Sequence, residues 1–262
     1  VYRDDRATAI VAGTGLAYTW PMSVGPQARH PMGWQMNDAG RKARGHDMTA
    51  RDAASSGGVV AVLAGGAGRR MGGRDKAALP LAGRPLLAHV LARVGAQGWP
   101  VVVAAGRHAA AHHGGAGDVT VLPDPPDAVG HGPLAGIAAA FAHCPDAAAV
   151  LSVPVDTPCL PDDLVARLDA ASDGRVRVAV ACSGGRTHWA VALWPAACRA
   201  AIVQALTGSD RSLRAVALAF SPAMVDFGGA RVDPFLNVNR PEDLVALEQA
   251  FLKVAAAIPN GD

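Results

Sequence analysis

From Leu63 to Lys76 the chain reads LAGGAGRRMGGRDK, a segment that few folds can place directly behind a strand. Residues 59–63 are all apolar and predict a short buried strand. The glycines that follow carry no Cβ, so the backbone is free to approach a ligand closely and to offer N–H groups to phosphate oxygens. Arg69, Arg70, Arg74 and Lys76 bring positive charge to the same loop. Strand, glycine loop and cations together predict a cradle for a polyphosphate. Two familiar glycine loops do not fit. A P-loop ends in Gly-Lys followed by Ser or Thr, whose hydroxyl holds magnesium, whereas Lys76 stands between Asp75 and Ala77. A dinucleotide fingerprint spaces its glycines G-x-G-x-x-G; Gly66, Gly68 and Gly72 miss that spacing by one residue. A solvated turn without a ligand is the plain alternative.

Composition narrows the field further. Half of the 262 residues are apolar, enough for a sizeable core. A net charge of +2 is too small for a nucleic-acid surface, which needs a basic stripe neutralising several phosphates, so anion binding must rest on local charge. Cys144, Cys159, Cys182 and Cys198 lie far apart with no C-x-x-C pair. That pattern predicts reduced, mostly buried thiols rather than a zinc site or a disulfide framework. No uninterrupted apolar run reaches the roughly 18 residues of a membrane span, and no leader pattern is evident. The cytoplasm is the expected location, with no membrane and no nucleic-acid partner.

Residues 1–57 hold both tyrosines and four of the six methionines, with no sustained helical or strand period. We expect a disordered or loosely packed N-terminal extension there, with the compact unit, 58–262, beginning shortly after Met48. From residue 59 onward apolar runs alternate with helical spacing, which predicts an α/β fold with a mostly parallel central sheet flanked by helices. Strands are expected at 59–63, 100–105, 119–122, 148–155 and 176–182, and helices at 85–96, 133–144 and 162–171. Later come a strand over 188–194 with a returning partner, helices over 196–206 and 211–219, a short strand over 224–227 and a closing amphipathic helix over 241–257.

In open α/β sheets ligands bind beyond the carboxyl ends of the strands. Those ends carry the glycine loop, Asp124 in LPDPPD and Asp156 in VPVDTP. Asp156, held between Pro154 and Pro158, is the first choice for a magnesium ligand, since magnesium takes one or two carboxylates plus substrate phosphates; Asp162 and Asp163 are better placed to cap the next helix. Asp124 is balanced between a nucleotide contact and plain turn formation. The GPLAG segment, Gly132 to Gly136, offers a tight turn into a helix N-terminus whose N–H groups can read a carbonyl or anion, or is a simple helix entry. Asn239, ahead of Arg240, Pro241 and Glu242, reads as an N-cap, a role Asn237 does not share. His108, His112 and His113 read as a solvated helix face, while Arg186 and His188 sit on a loop before a strand, placed to touch an anionic second substrate.

LAGGAGRRMGGRDKAALPLAGRPLL, the Asp124 turn, GPLAG, VDTPCLP, GRTHWAVAL and FLNVNRPEDL follow one another in the order seen in molybdenum cofactor guanylyltransferases. Over Gly58 to Leu252 the chain resembles that MobA-like nucleotidyltransferase family. The resemblance implies a single Rossmann-like nucleotidyltransferase domain that uses GTP and a molybdopterin cofactor as substrates and Mg2+ as metal. It matches Leu63, Ala64, Gly65 and Gly66 to the loop meeting the guanine nucleotide, and Lys76 to the lysine on its phosphates. Arg70 falls on the loop arginine, Asp124 on a nucleotide-contacting aspartate and Asp156 on the magnesium ligand. Arg186, His188, Asn237 and Asn239 fall to the molybdopterin side. Ala104 departs from the asparagine that relatives can carry there, so base preference is the open point. Transient contact with molybdoenzymes or their chaperones is a further expectation. Competing readings are transfer from CTP to molybdopterin, transfer of another nucleotide to a sugar phosphate, and a non-catalytic nucleotide-binding or cofactor-delivery protein.

Overall fold

Val59, Val60, Ala61 and Val62 are completely buried, and successive side chains of a strand point to opposite faces, so this run needs cover on both sides. The computed structural model provides it. It describes residues 6–10, 17–21, 57–65, 75–106, 119–230, 232–238 and 241–256. Ahead of the main unit, β1 (Arg6–Ile10) and β2 (Ala17–Pro21) pair antiparallel; the sequence shows no strand period in that region. The rest of 1–57, the expected loose extension, lies outside the described residues apart from Gly57.

The main sheet has seven strands among the described residues: β3 (Val59–Leu63), β6 (Val101–Ala104), β7 (Thr120–Leu122), β8 (Ala149–Pro154), β9 (Ala179–Ser183), β10 (Arg186–Pro195) and β11 (Ala223–Asp226), in the order β11-β9-β10-β8-β3-β6-β7. β3 runs parallel to both β6 and β8, β6 to β7, and β9 to β11, while β10 is antiparallel to its neighbours β8 and β9. The expected α/β fold with a mostly parallel sheet is the one observed. The two-residue joint between β9 and β10 is Gly184-Gly185, both at positive φ (52° and 73°), which is the conformation a tight hairpin demands. The small hairpin β4 (Pro80–Leu81) and β5 (Arg84–Pro85) stands apart from this sheet.

One face of the sheet carries α2 (Pro133–His143), α4 (Arg199–Thr207) and α5 (Leu213–Ala219), meeting Val59, Ala61, Leu63 and Val102. On the other, α1 (Leu86–Gly95) and α3 (Leu164–Ala171) meet Val60, Val62, Val103 and Leu151. A third cluster joins Leu81, Leu86, Cys159 and Val238 to Leu247 and Phe251 of α6 (Pro241–Ala256). It brings α6 back to the β4–β5 hairpin.

Elements fall within a few residues of expectation, with two local exceptions. The strand expected from 176 starts at Ala179, because 172–177 form a turn tied by Val176 and Arg177 N–H groups to the Ser172 carbonyl. Neither expected aspartate caps α3 with its side chain: Asp163 stands at the N-cap position without a side-chain bond and Asp162 pairs with Arg93. Gln97, on the loop after α1, takes that role instead. Its Oε1 accepts the Val165 N–H at 2.8 Å while its Nε2 donates to the Pro161 carbonyl at 2.9 Å, satisfying one of the orphan donors of a helix start.

Candidate active site

The chain runs from β3 to β6 and β7 on one side, then returns to β8 on the other. β3 therefore sits at the switch point, where an open sheet leaves a crevice at the strand carboxyl ends. On one side of it the Val155 N–H donates to the Leu63 carbonyl at 3.1 Å, continuing the β3–β8 pairing, and the chain then turns. Thr157, 2 % exposed, closes that turn by donating Oγ1 to the Pro154 carbonyl at 2.9 Å. Asp156 is fixed at its apex.

Lys76 arrives from the opposite direction. Asp75 accepts the Ala77 N–H on Oδ1 at 3.0 Å and caps a single 3-10 turn, Lys76–Ala78. That turn aims the Lys76 ammonium at Asp156, with Nζ to Oδ2 at 2.7 Å. Nζ also donates to the Val238 carbonyl at 2.6 Å. The side chains are 25 % and 13 % exposed for Lys76 and Asp156, open enough to exchange partners and shielded enough for charge to act strongly. Residues 80 and 162 positions apart in sequence thus meet at one corner.

A second wall lies across β3. The Ala64 and Gly65 N–H groups donate to the Ala104 carbonyl at 2.9 and 3.0 Å, folding the start of the glycine loop over the end of β6. Gly106 follows at φ +58°, and a Cβ there would stand 3.0 Å from Asp124 Oδ2. Asp124 accepts the Gly130 N–H at 3.0 Å, so it does shape the turn into GPLAG. Gly136 has a packing duty of its own: a Cβ would lie 2.8 Å from Leu63 Cδ2 and 2.9 Å from Ala104 Cβ. The Ala104 side chain consequently points under α2, and the amide missing at that position would face the helix.

Arg186 is exposed beside the β9–β10 turn, whereas the His188 ring is drawn inward. Its Nε2 meets Ser183 Oγ at 2.8 Å and its ring packs on Phe235 at 4.7 Å. Burial holds its pKa below the ordinary histidine value, against the pull of Asp233 and with a smaller contribution from Arg186. Asn237 is exposed next to Val238. Gly66, Arg70 and Asn239 lie outside the described residues, as do Arg69, Arg74 and the histidines at 108, 112 and 113. Of the four free thiols, Cys144, Cys159 and Cys198 are buried, and burial pushes them up to about 11, 11 and 12. Sequence reasoning missed Asp75 and the Val238 carbonyl. The Asp-x-Ala turn signal could have found the first; a backbone carbonyl leaves no signal.

Among the described residues no three His, Cys, Asp or Glu side chains gather into a metal cage, and no helix is long and apolar enough to cross a membrane. The carboxylate of Asp156 suits a divalent metal ion that draws its remaining ligands from phosphates and water.

Known proteins carry the same architecture. Over 198 residues the chain is 40% identical to a molybdenum cofactor guanylyltransferase of Rhodopseudomonas palustris strain BisB5, covering 73% of this chain and 93% of that one. The crystal structure of a molybdopterin-guanine dinucleotide biosynthesis protein A from Archaeoglobus fulgidus superposes with a TM-score of 0.60 at 21% identity, over 74% of this chain and 99% of that one. A Mycobacterium tuberculosis protein solved in complex with manganese matches with a TM-score of 0.55 at 16% identity, over 73% and 98%. Residues 60–222 match the sequence model of the MobA-like NTP transferase domain, and the chain belongs to that family.

Proposed function

We infer that the protein is a molybdenum cofactor guanylyltransferase, which transfers GMP from GTP to the terminal phosphate of a molybdopterin cofactor. An oxygen of that phosphate bonds to the α-phosphorus of GTP, the bond from the α-phosphorus to the bridging oxygen breaks, and pyrophosphate leaves with the electron pair. The product is the guanine dinucleotide form of the cofactor. A phosphate nucleophile is already ionised near neutral pH, so no side chain has to take a proton from it. The chain has to align two anions and stabilise charge.

The observation that carries this reading is the Lys76–Asp156 contact at the strand carboxyl ends, 2.7 Å across. With substrate bound, Lys76 exchanges Asp156 for phosphate oxygens and, with Arg70, stabilises the charge growing on pyrophosphate. Asp156 would then hold Mg2+, which would neutralise charge on the triphosphate. Leu63 to Gly65, with Gly66 next in the same motif, offer backbone to the nucleotide, with Asp124 behind Gly106 fixing the shape of that end. β7 and β8 are separated by three inter-strand spacings, about 14 Å, a span for the nucleotide to lie across. Arg186 and Asn237 serve the molybdopterin side, a role the FLNVNRPEDL motif extends to Asn239; His188 serves that side through the segment it holds. Buried free thiols favour a reducing cytoplasm.

The test is pyrophosphate release with magnesium and molybdopterin cofactor, offering GTP, CTP, ATP and UTP separately, with the product weighed by mass spectrometry. GTP should turn over fastest and give the guanine dinucleotide. Preference for CTP would make the protein a cytidylyltransferase, and nucleotide binding without pyrophosphate release would make it a carrier.

A further inference from the structure

The Val238 carbonyl that helps hold Lys76 belongs to a segment, 232–238, with no regular structure, so something outside it must fix its position. Ser183, 2 % exposed at the end of β9, donates Oγ–H to Asp233 Oδ1 at 2.7 Å. A hydroxyl has one proton. The 2.8 Å contact between the same Oγ and His188 Nε2 therefore has Nε2–H as donor, and the order of the relay is His188 to Ser183 to Asp233. Asp233 Oδ1 also accepts the Phe235 N–H at 3.0 Å, and the Asp233 carbonyl accepts the Leu236 N–H at 3.2 Å. Phe235, 2 % exposed, is clamped between His188 and Phe227, at 4.7 and 5.4 Å. Three residues further on, fully buried Val238 turns its carbonyl onto Lys76 at 2.6 Å.

We propose that Asp233, with Ser183 and His188, is a positioning residue for Lys76: it pins the segment whose Val238 carbonyl sets where the ammonium stands. This rests on the guanylyl-transfer reading for its consequence and not for its geometry. Asp233 touches no substrate. It acts on the rate because a catalytic charge displaced by about 1 Å can lose up to about 100-fold, while the nucleotide loop on the far side of β3 is untouched.

The chain has three lysines, Lys42, Lys76 and Lys253, so acetylation by an N-hydroxysuccinimide ester can be followed at each by peptide mass spectrometry without any substrate. In the full chain, Asp233→Ala and Ser183→Ala should raise the reactivity of Lys76 relative to Lys253 several-fold. The same variants should lower kcat by roughly 10- to 100-fold with KM for GTP changed far less. Asp233→Asn, whose amide oxygen still accepts from Ser183 and Phe235, should restore both readings. If Asp233→Ala fails to fold, Ser183→Ala and Asp233→Asn carry the same comparison. Wild-type Lys76 reactivity in a folded Ser183→Ala variant would overturn the proposal, as would an Asp233→Asn variant no better than the alanine. A wild type that releases no pyrophosphate, yet shows the reactivity change, would overturn the transferase reading and leave the positioning standing.

Discussion

The two sides of β3 are built by different means. Toward β8, three groups from distant parts of the chain converge on one point: an ammonium, a carboxylate and a carbonyl, with contacts of 2.7 and 2.6 Å. Toward β6 and β7 the wall is backbone, shaped by Gly65 and Gly106, and its carboxylate, Asp124, is bonded to the Gly130 N–H. Charges of opposite sign brought together at a half-shielded corner can respond to charge developing in a transition state. A backbone wall gives shape that a nucleotide meets equally before and during reaction, and such binding moves KM rather than kcat. The β8 side should therefore govern rate and the β6–β7 side affinity.

The comparison breaks most readily at Asp156. Replacing it with Asn keeps the turn closed by Thr157 and removes the charge; kcat should fall by about 100- to 1,000-fold or more, on the scale of a lost electrostatic group, in single-turnover pyrophosphate release. Lys76→Ala comes next, with a loss of about 10- to 1,000-fold in kcat and a folded chain by circular dichroism. An unchanged rate in either would move the chemistry elsewhere. Gly106→Ala probes the other wall: a non-glycine residue at φ +58°, with Asp124 3.0 Å from the new Cβ, costs about 1–2 kcal/mol locally. KM for GTP should rise about tenfold, the equivalent of ~1.4 kcal/mol, while kcat stays within a factor of two or so. A fall in kcat with KM unchanged would erase the distinction between the sides.

The smallest effect concerns pH. Folding lowers the pKa of His188 through burial, so between the folded value and the unfolded one, about 6.5, the unfolded chain binds more protons. Stability is then full above that window and falls as pH drops through it. Chemical denaturation midpoints should decline from neutral pH toward pH ~5 more steeply in the wild type than in a His188→Gln variant. The same slope in both would mean that His188 is not held neutral.

Much of this layout is legible in the sequence because it is written locally. The apolar run 59–63, Gly65 behind it and the aspartates closing VLPD and VPVD are each short signals, and the strand-end rule sets them at one edge of the sheet. What stays hidden is written across the chain. Gln97 caps α3 from 68 residues away, and Ser183 finds Asp233 across 50, pairings that no periodicity marks. Asp162 and Asp163 look like caps because local propensity favours them, but Asp162 is engaged by Arg93 and the loop after α1 delivers Gln97 as the side-chain acceptor. Ala104 misleads in another way: its place at the end of a strand suggests the crevice, but the pleat turns its side chain under α2, against Gly136.

The most direct test of the central claim is a crystal structure with magnesium and a GTP analogue that cannot be cleaved between the α- and β-phosphates. Asp156 should ligate the metal, and Lys76 Nζ should have left it for a phosphate oxygen while keeping the Val238 carbonyl. A triphosphate bound elsewhere, with the 2.7 Å Lys76–Asp156 pair intact beside it, would contradict the account.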